Sequence, residues 1–366
     1  MNNRDLVLSD TINFMRYPLA LAIMYIHAPG LIPINLDLIH ENTFSLYSFY
    51  DMLRICFSNV IAHISVPTFL LISGYLFFNN LKEWNWNIYF TKLRKKFFTL
   101  FIPYILWNII IVLAKCLVIY FKGESVSLYI NDILSQGVLR IFWDCVPELN
   151  APANVPLWFI RDLMIIMVLS PIIYAFVKYT KIYGIILLLV LYIFNFWPSI
   201  TGFSVIVYAF FSLGAYFSVN KISLLDICKE YKVVWYLTTF ALLFPLIWYN
   251  SYNNPIFGYK LLNLFRITGI FALFHFSFYI VRNMKVKTWP ILYESSFFLY
   301  ATHMIYILFV VDIVINKIVP STATIVLIIK YLLCPIICSF VCIGIYWMLK
   351  KYLPTLLNIL TGRVKV

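Results

Sequence analysis

Apolar residues run along this chain in long blocks. The first, 12–28, reads INFMRYPLALAIMYIHA, and similar blocks return near 55–78, 97–121, 157–177, 182–197, 201–219, 233–249, 261–281, 289–313 and 325–349. About twenty apolar residues is the length an α-helix needs to cross hydrocarbon, whereas a barrel strand needs about ten of alternating polarity. The pattern predicts an all-α polytopic bundle of about ten transmembrane helices. Blocks five and six are separated only by Pro198, Ser199 and Ile200, so they should be antiparallel neighbours. The longest connection, 122–156, contains SLYINDILSQGVLRIFWDCV, which suits a helix on the membrane or over a cavity, or equally a plain surface loop. No fixed-period repeat or low-complexity linker is present, so 1–366 is expected to be one domain.

Composition sharpens this picture. With 63% hydrophobic residues, 12% charged residues and a mean hydropathy of +0.89, too much apolar surface would remain outside a single soluble core. Aromatics, 19% of the chain, gather where apolar blocks end, as expected at the headgroup level. Lys and Arg divide unevenly. The N-terminus, the connections after blocks 2, 4, 6 and 8 and the C-terminal tail hold 18, against 5 in the alternate connections. The positive-inside rule then predicts that both termini are cytoplasmic and that 122–156 is extracytoplasmic. This excess accounts for most of the +13 net charge, so charge gives no reason to expect nucleic acid. Arg4, Asp5 and Asp10 precede a first block with no A-x-A site, so a retained helix is expected rather than a cleaved signal peptide. The seven cysteines form no CxxC pair. Cys334, Cys338 and Cys342 share one helical face, read as small residues that let helices approach; no metal is expected.

Candidate chemistry lies in the ionisable residues inside the blocks. Arg16 and His27 are eleven residues apart, about 20° from three full turns and about 16 Å in rise, so they share a face at two depths. Leu19 and Ile23 are expected to line that path and Ala22 to lie off it. Block 2 carries His63 and, nearer the inner end, Ser73; block 4 opens with PLWFIRDL, bringing Trp158, Arg161 and Asp162 in from outside; block 9 places His303 near its middle. At the inner face TKLRKKFFTLFIPY presents Lys92, Arg94, Lys95 and Lys96. Ionisable groups in hydrocarbon cost several kcal/mol unless paired or wet, so a functional cavity is the expectation. The plainer alternatives are a snorkelling Arg16, a His27 bonded to a neighbouring helix and a basic run that only anchors the chain.

Taken in order, R-x10-H in the first block, VPTFLLISGYLFF in the second, a basic run leading into IPYILW, PLWFIRDL followed by SP, and SFFLYATH resemble the acyltransferase 3 family of integral membrane acyltransferases. The resemblance implies transfer of an acetyl or other short acyl group from cytoplasmic acyl-coenzyme A to a hydroxyl of an exported glycan or glycolipid, in a bacterial cytoplasmic membrane. Arg16 and His27 match the family's first-helix pair. Asn13 stands where an aspartate is common, Lys96-x-x-Thr99 where R-x-x-R is frequent, and His63 where an arginine is often seen. Many members also carry a fused extracytoplasmic hydrolase-like domain, whereas this chain ends about seventeen residues after its last block. Transfer is therefore expected to finish in the membrane domain or pass to a separate protein.

Under this reading acyl-coenzyme A is a co-substrate and no cofactor is permanently bound. A thioester is already activated, so the enzyme needs a base for the acceptor hydroxyl and stabilisation of the oxyanion. His27 is the candidate base, or alternatively a covalent acyl carrier; Lys92, Arg94, Lys95, Lys96 and Ser73 are assigned to the donor, with Arg16 at the pantetheine or pyrophosphate. His63, Trp158, Arg161, Asp162 and His303 are assigned to the acceptor or to support. The alternative is a secondary transporter or lipid-linked glycan flippase with a proton relay, although no paired interrupted helices stand out at matching places. The oligomeric state stays open.

Overall fold

The computed structural model describes residues 3–28, 46–79, 81, 83–198, 200–251 and 255–363. Helices dominate, and among the described residues the one extended pairing is an isolated bridge between Val146 and Ala151. In chain order, α1 is Asn3–Ile26 and α2 is Leu46–Arg54, which passes through a wide turn (Ile55–Val60) and a tight one (Ile61–Ile64) into α3, Ser65–Phe78. Asn85 caps α4 (Trp86–Lys96) by accepting from the N–H groups of Asn87 and Ile88. A wide turn leads on into α5 (Ile102–Phe121). There follow α6 (Val126–Gln136), α7 (Arg140–Trp143), α8 (Trp158–Val168), α9 (Ser170–Phe194), α10 (Val205–Val219) and α11 (Leu224–Glu230). The chain ends with α12 (Lys232–Ser251), α13 (Pro255–Arg282), α14 (Pro290–Thr302), α15 (Leu308–Ile318), α16 (Thr324–Tyr352) and α17 (Pro354–Leu360).

Every predicted block falls on helix, but the correspondence is not one block to one straight span. Among the described residues six helical stretches are long and apolar enough to cross a membrane, and a seventh arises if α10 and α11, bent by 102°, are one span. Block 4 begins in α8, which has 11 residues, about 16 Å of rise and too short to cross alone. Its second half shares α9 with block 5. The backbone at Lys181 is non-helical (φ 50°, ψ −133°), so α9 is two helices meeting where the sequence places a connection.

Packing follows the apolar stripes. Leu8, Ile12, Met15, Leu19 and Ile23 recur every three or four residues on α1 and are buried in the main core with Ile64, Leu70 and Phe274. The tightest crossing joins α3 and α10. A Cβ added at Gly74 would lie 2.0 Å from Phe211 O, and one added at Gly214 would lie 2.0 Å from Leu71 O, so only glycine permits this approach. A second cluster seats Met24 against Leu299, Leu308, Cys334, Cys338 and Cys342, which gives the cysteine stripe its packing role. No group of His, Cys, Asp or Glu suited to a metal occurs among the described residues.

The 122–156 connection is not a plain loop. α6 leaves Leu128 and Leu134 exposed, whereas the return segment buries Ala151, Asn154 and Leu157. Asn154 supplies the anchor: its backbone N–H donates to Asn108 Oδ1 (2.9 Å) and its side-chain nitrogen to Ala301 O (3.0 Å). Tyr104 donates to Phe142 O from α5, and Tyr300 donates to Pro156 O from α14.

Candidate active site

Residues from four helical segments converge on one level of the bundle. His63 is 15 residues from the Phe78 end of α3, Arg266 is 16 from the Arg282 end of α13, and His303 is 13 from the start of α14, so each sits about 20–24 Å from the basic end. His27 follows the last turn of α1. Because Met24 is locked against Leu299 and Leu308, the His27 and His303 rings face each other with centroids 5.4 Å apart. His27 also lies within electrostatic reach of His63.

Hydrogen bonding fixes two of these rings in opposite states. His303 Nδ1 lies 2.9 Å from Tyr300 O and 3.2 Å from Leu299 O, and carbonyls only accept, so Nδ1 carries the proton. Its Nε2 is then a bare lone pair, buried and without a partner. His63 Nδ1 lies 2.9 Å from Arg266 Nη2, and a guanidinium only donates, so Nδ1 is the acceptor and Nε2 carries the proton. The His27 imidazole makes no hydrogen bond with a described residue; its backbone N–H donates to Met24 O (3.2 Å). The helix breaks serve this arrangement: the turns at 55–64 present His63, and the backbone leaves helical geometry at Ile305 and Tyr306 directly after His303.

Nearer the basic end Arg16 is half-buried, with Tyr293 and Arg363 as electrostatic neighbours. Its guanidinium forms no ion pair or hydrogen bond with a described residue. Lys92 donates to Phe77 O, an end carbonyl of α3, and lies 5.3 Å from the Phe77 ring centroid. Arg94 and Lys95 are exposed, while Lys96 and Ser73 are half-buried. The path expected along Leu19 and Ile23 is not present: both are core residues, 4% and 3% exposed, because the side of α1 next to Arg16 packs against other helices.

At the other end Arg161 and Asp162 form a closed pair. Arg161 Nε and Nη2 lie 2.9 Å and 2.8 Å from Asp162 Oδ1; Nη1 donates to Trp143 O and to Asn150 O (3.0 Å). The pair borders a cleft of about 310 Å³ that Trp158, Trp197, Asn150 and Asn195 also line. The structure thus joins His27, His63 and His303, and separates Trp158, Arg161 and Asp162 from them by a layer that includes Tyr104 and Tyr300. Arg266 is the residue that sequence reasoning left out. An arginine inside an apolar block was the available signal, as it was for Arg16.

A polytopic helix bundle with ionisable groups gathered at mid-depth is a multi-pass integral membrane protein built around a polar site. The profile of the family described as "Acyltransferase domain" matches residues 10–344, and the chain belongs to this acyltransferase 3 family: it is a membrane acyltransferase. It is 26% identical over 288 residues to the "Succinoglycan biosynthesis protein ExoH" of Rhizobium meliloti (strain 1021), covering 76% of this chain and 73% of that protein. No solved structure matches it.

Proposed function

We propose that this acyltransferase moves an acetyl or other short acyl group from cytoplasmic acyl-coenzyme A to a hydroxyl of an exported glycan or glycolipid. The reading takes the chain as ten crossings of a bacterial cytoplasmic membrane with both termini inside. The observation that carries it is the His27–His303 pair, 5.4 Å apart, at the level where Arg16 leaves an unpaired guanidinium below. Similarity to a succinoglycan biosynthesis protein favours a polysaccharide acceptor.

In this mechanism the donor enters from the basic end, its phosphates met by Lys92, Arg94, Lys95 and Lys96, with Ser73 and Arg16 along the pantetheine. His27 takes the proton from the acceptor hydroxyl as its oxygen attacks the thioester carbonyl. The tetrahedral intermediate then expels the coenzyme A thiolate, to which His27 passes the proton it had taken, so that the base is regenerated and the C–S bond is replaced by an ester C–O bond. The acceptor approaches from the cleft of Trp158, Arg161 and Asp162, where two tryptophans offer faces for sugar rings. The test is transfer of labelled acetyl from acetyl-coenzyme A in inverted vesicles, with mass spectrometry of glycans and lipids for a discrete acyl mass. No such mass, with or without the protein, rejects the reading.

The second reading is a carrier for a lipid-linked glycan, favoured by the broken helices at His63 and His303. It expects proton-gradient-dependent movement of glycan and no dependence on coenzyme A.

A further inference from the structure

The His63–Arg266 contact is a built feature that the reading above leaves unused. Arg266 Nη2 bonds His63 Nδ1 (2.9 Å), while Nη1 bonds Tyr192 Oη (3.1 Å) and Asn263 Oδ1 (3.0 Å). Asn263 is itself held, its side-chain nitrogen donating to Tyr192 O (2.9 Å). The guanidinium therefore meets three neutral acceptors and no carboxylate, and its Nε is buried without a partner. A buried arginine spent on neutral groups adds little as an ion pair, yet it orients whatever accepts from it. Close approach supports the contact. A Cβ at Gly269, one turn beyond Arg266, would lie 2.6 Å from Ile64 Cδ1, so α13 reaches the His63 turn because the residue there is glycine.

We propose that Arg266 is a positioning residue that holds His63 as its Nε2–H tautomer, so that His63 presents a hydrogen-bond donor to the thioester oxygen beside His27. This rests on the acyl-transfer reading. The three rings then divide the work. His303, whose ring centroid lies 5.4 Å from that of His27, has a bare Nε2 that can only accept, whereas His63 can only donate from the edge left free by Arg266. A neutral, pre-oriented donor is the group that the developing oxyanion requires, and one placed before reaction needs no reorganisation.

Two substitutions at one position separate donation from mere support. In His63→Gln the amide nitrogen stands near Nε2 and can donate; in His63→Asn the amide oxygen stands near Nδ1 and keeps the Arg266 contact, but the donor is gone. The expected result is a kcat for His63→Asn reduced about 10²–10³-fold at unchanged donor KM, with His63→Gln recovering part of it. Arg266→Gln should lower kcat by a smaller factor, also without moving KM, and Arg266→Lys should rescue part of the loss. If His63→Asn is as active as wild type or more active than His63→Gln, donation from Nε2 is rejected.

Nitrogen NMR of ¹⁵N-histidine-labelled wild-type protein in lipid needs no variant to fold. A bare Nδ1 at His63, assigned by its loss in the mutant that expresses best, is expected; a protonated Nδ1 overturns the proposal. His27→Ala run in parallel keeps the two ideas apart. Activity in that variant removes the acyl-transfer reading of the site, whereas loss of activity there together with a failed His63 pattern removes only this inference.

Discussion

Arg161 and Arg16 both sit in apolar surroundings, yet they are satisfied differently. Arg161 spends its donors on Asp162, Trp143 O and Asn150 O; the Arg16 guanidinium bonds no described residue, and above it the His27 ring is unbonded and His303 Nε2 is orphaned. A buried polar group without a partner costs about 1–3 kcal/mol, more if charged, so a fold keeps such groups only where something else meets them. The comparison teaches that the saturated pair holds the 143–150 segment to α8, whereas the undersaturated belt keeps its polar groups unspent and is where the proposed mechanism puts the substrate. A charged residue in an apolar block announces both cases alike.

The strongest test of this contrast is His27→Ala, expected to reduce acyl transfer by at least about 10³-fold while the protein still inserts and accumulates. Near-normal turnover would erase the distinction from its active side. Next, Asp162→Asn breaks a pair that is 4% and 1% exposed, and should cost about 3–5 kcal/mol of stability, read as a lowered thermal midpoint in detergent. An Asp162→Asn protein of normal stability but no activity would move Asp162 into the chemistry. Replacing Lys92, Arg94, Lys95 and Lys96 together with Gln should raise the donor KM about tenfold with kcat little changed, and added salt should narrow the gap to wild type. Topology must be checked in that variant, since the same charges orient the chain; correct orientation with unaltered KM would leave them as anchors only.

The smallest effect concerns Cys145, in the connection that packs over the bundle. Burial pushes its thiol above the ordinary range, with Lys115 and Arg140 pulling the other way. A raised value means less thiolate near neutral pH, so maleimide labelling should run a few-fold slower than for a free cysteine and catch up as pH rises. Peptide-level mass spectrometry measures it, and fast labelling at neutral pH would show that the segment opens.

Several features were legible because they depend only on local pattern. The helical blocks follow from run length, and His27, His63 and His303 stood out because ionisable residues are rare in such runs. Arg266 carried the same signal but lacked a motif neighbour, and its partners come from residues 63, 192 and 263, which no spacing relates. The breaks at 61–64 and 303–307 were hidden for a simpler reason. They cost no apolar residue, so hydropathy runs through them unaltered. The expected lining by Leu19 and Ile23 failed because a shared helical azimuth says nothing about which neighbour packs there.

By itself, then, the sequence determined a helical membrane protein of one family, the level of its histidines along their helices, and the excess of positive charge at one end; each is set by residue type and position along a single helix. Only the tertiary structure decided that Arg161 is closed and Arg16 open, that His303 offers a lone pair while His63 offers a proton, and that Arg266 stands behind the latter. Those outcomes depend on which atoms of distant helices come within about 3 Å, and hydrogen bonds fall off too steeply with distance and angle for spacing along one helix to specify them.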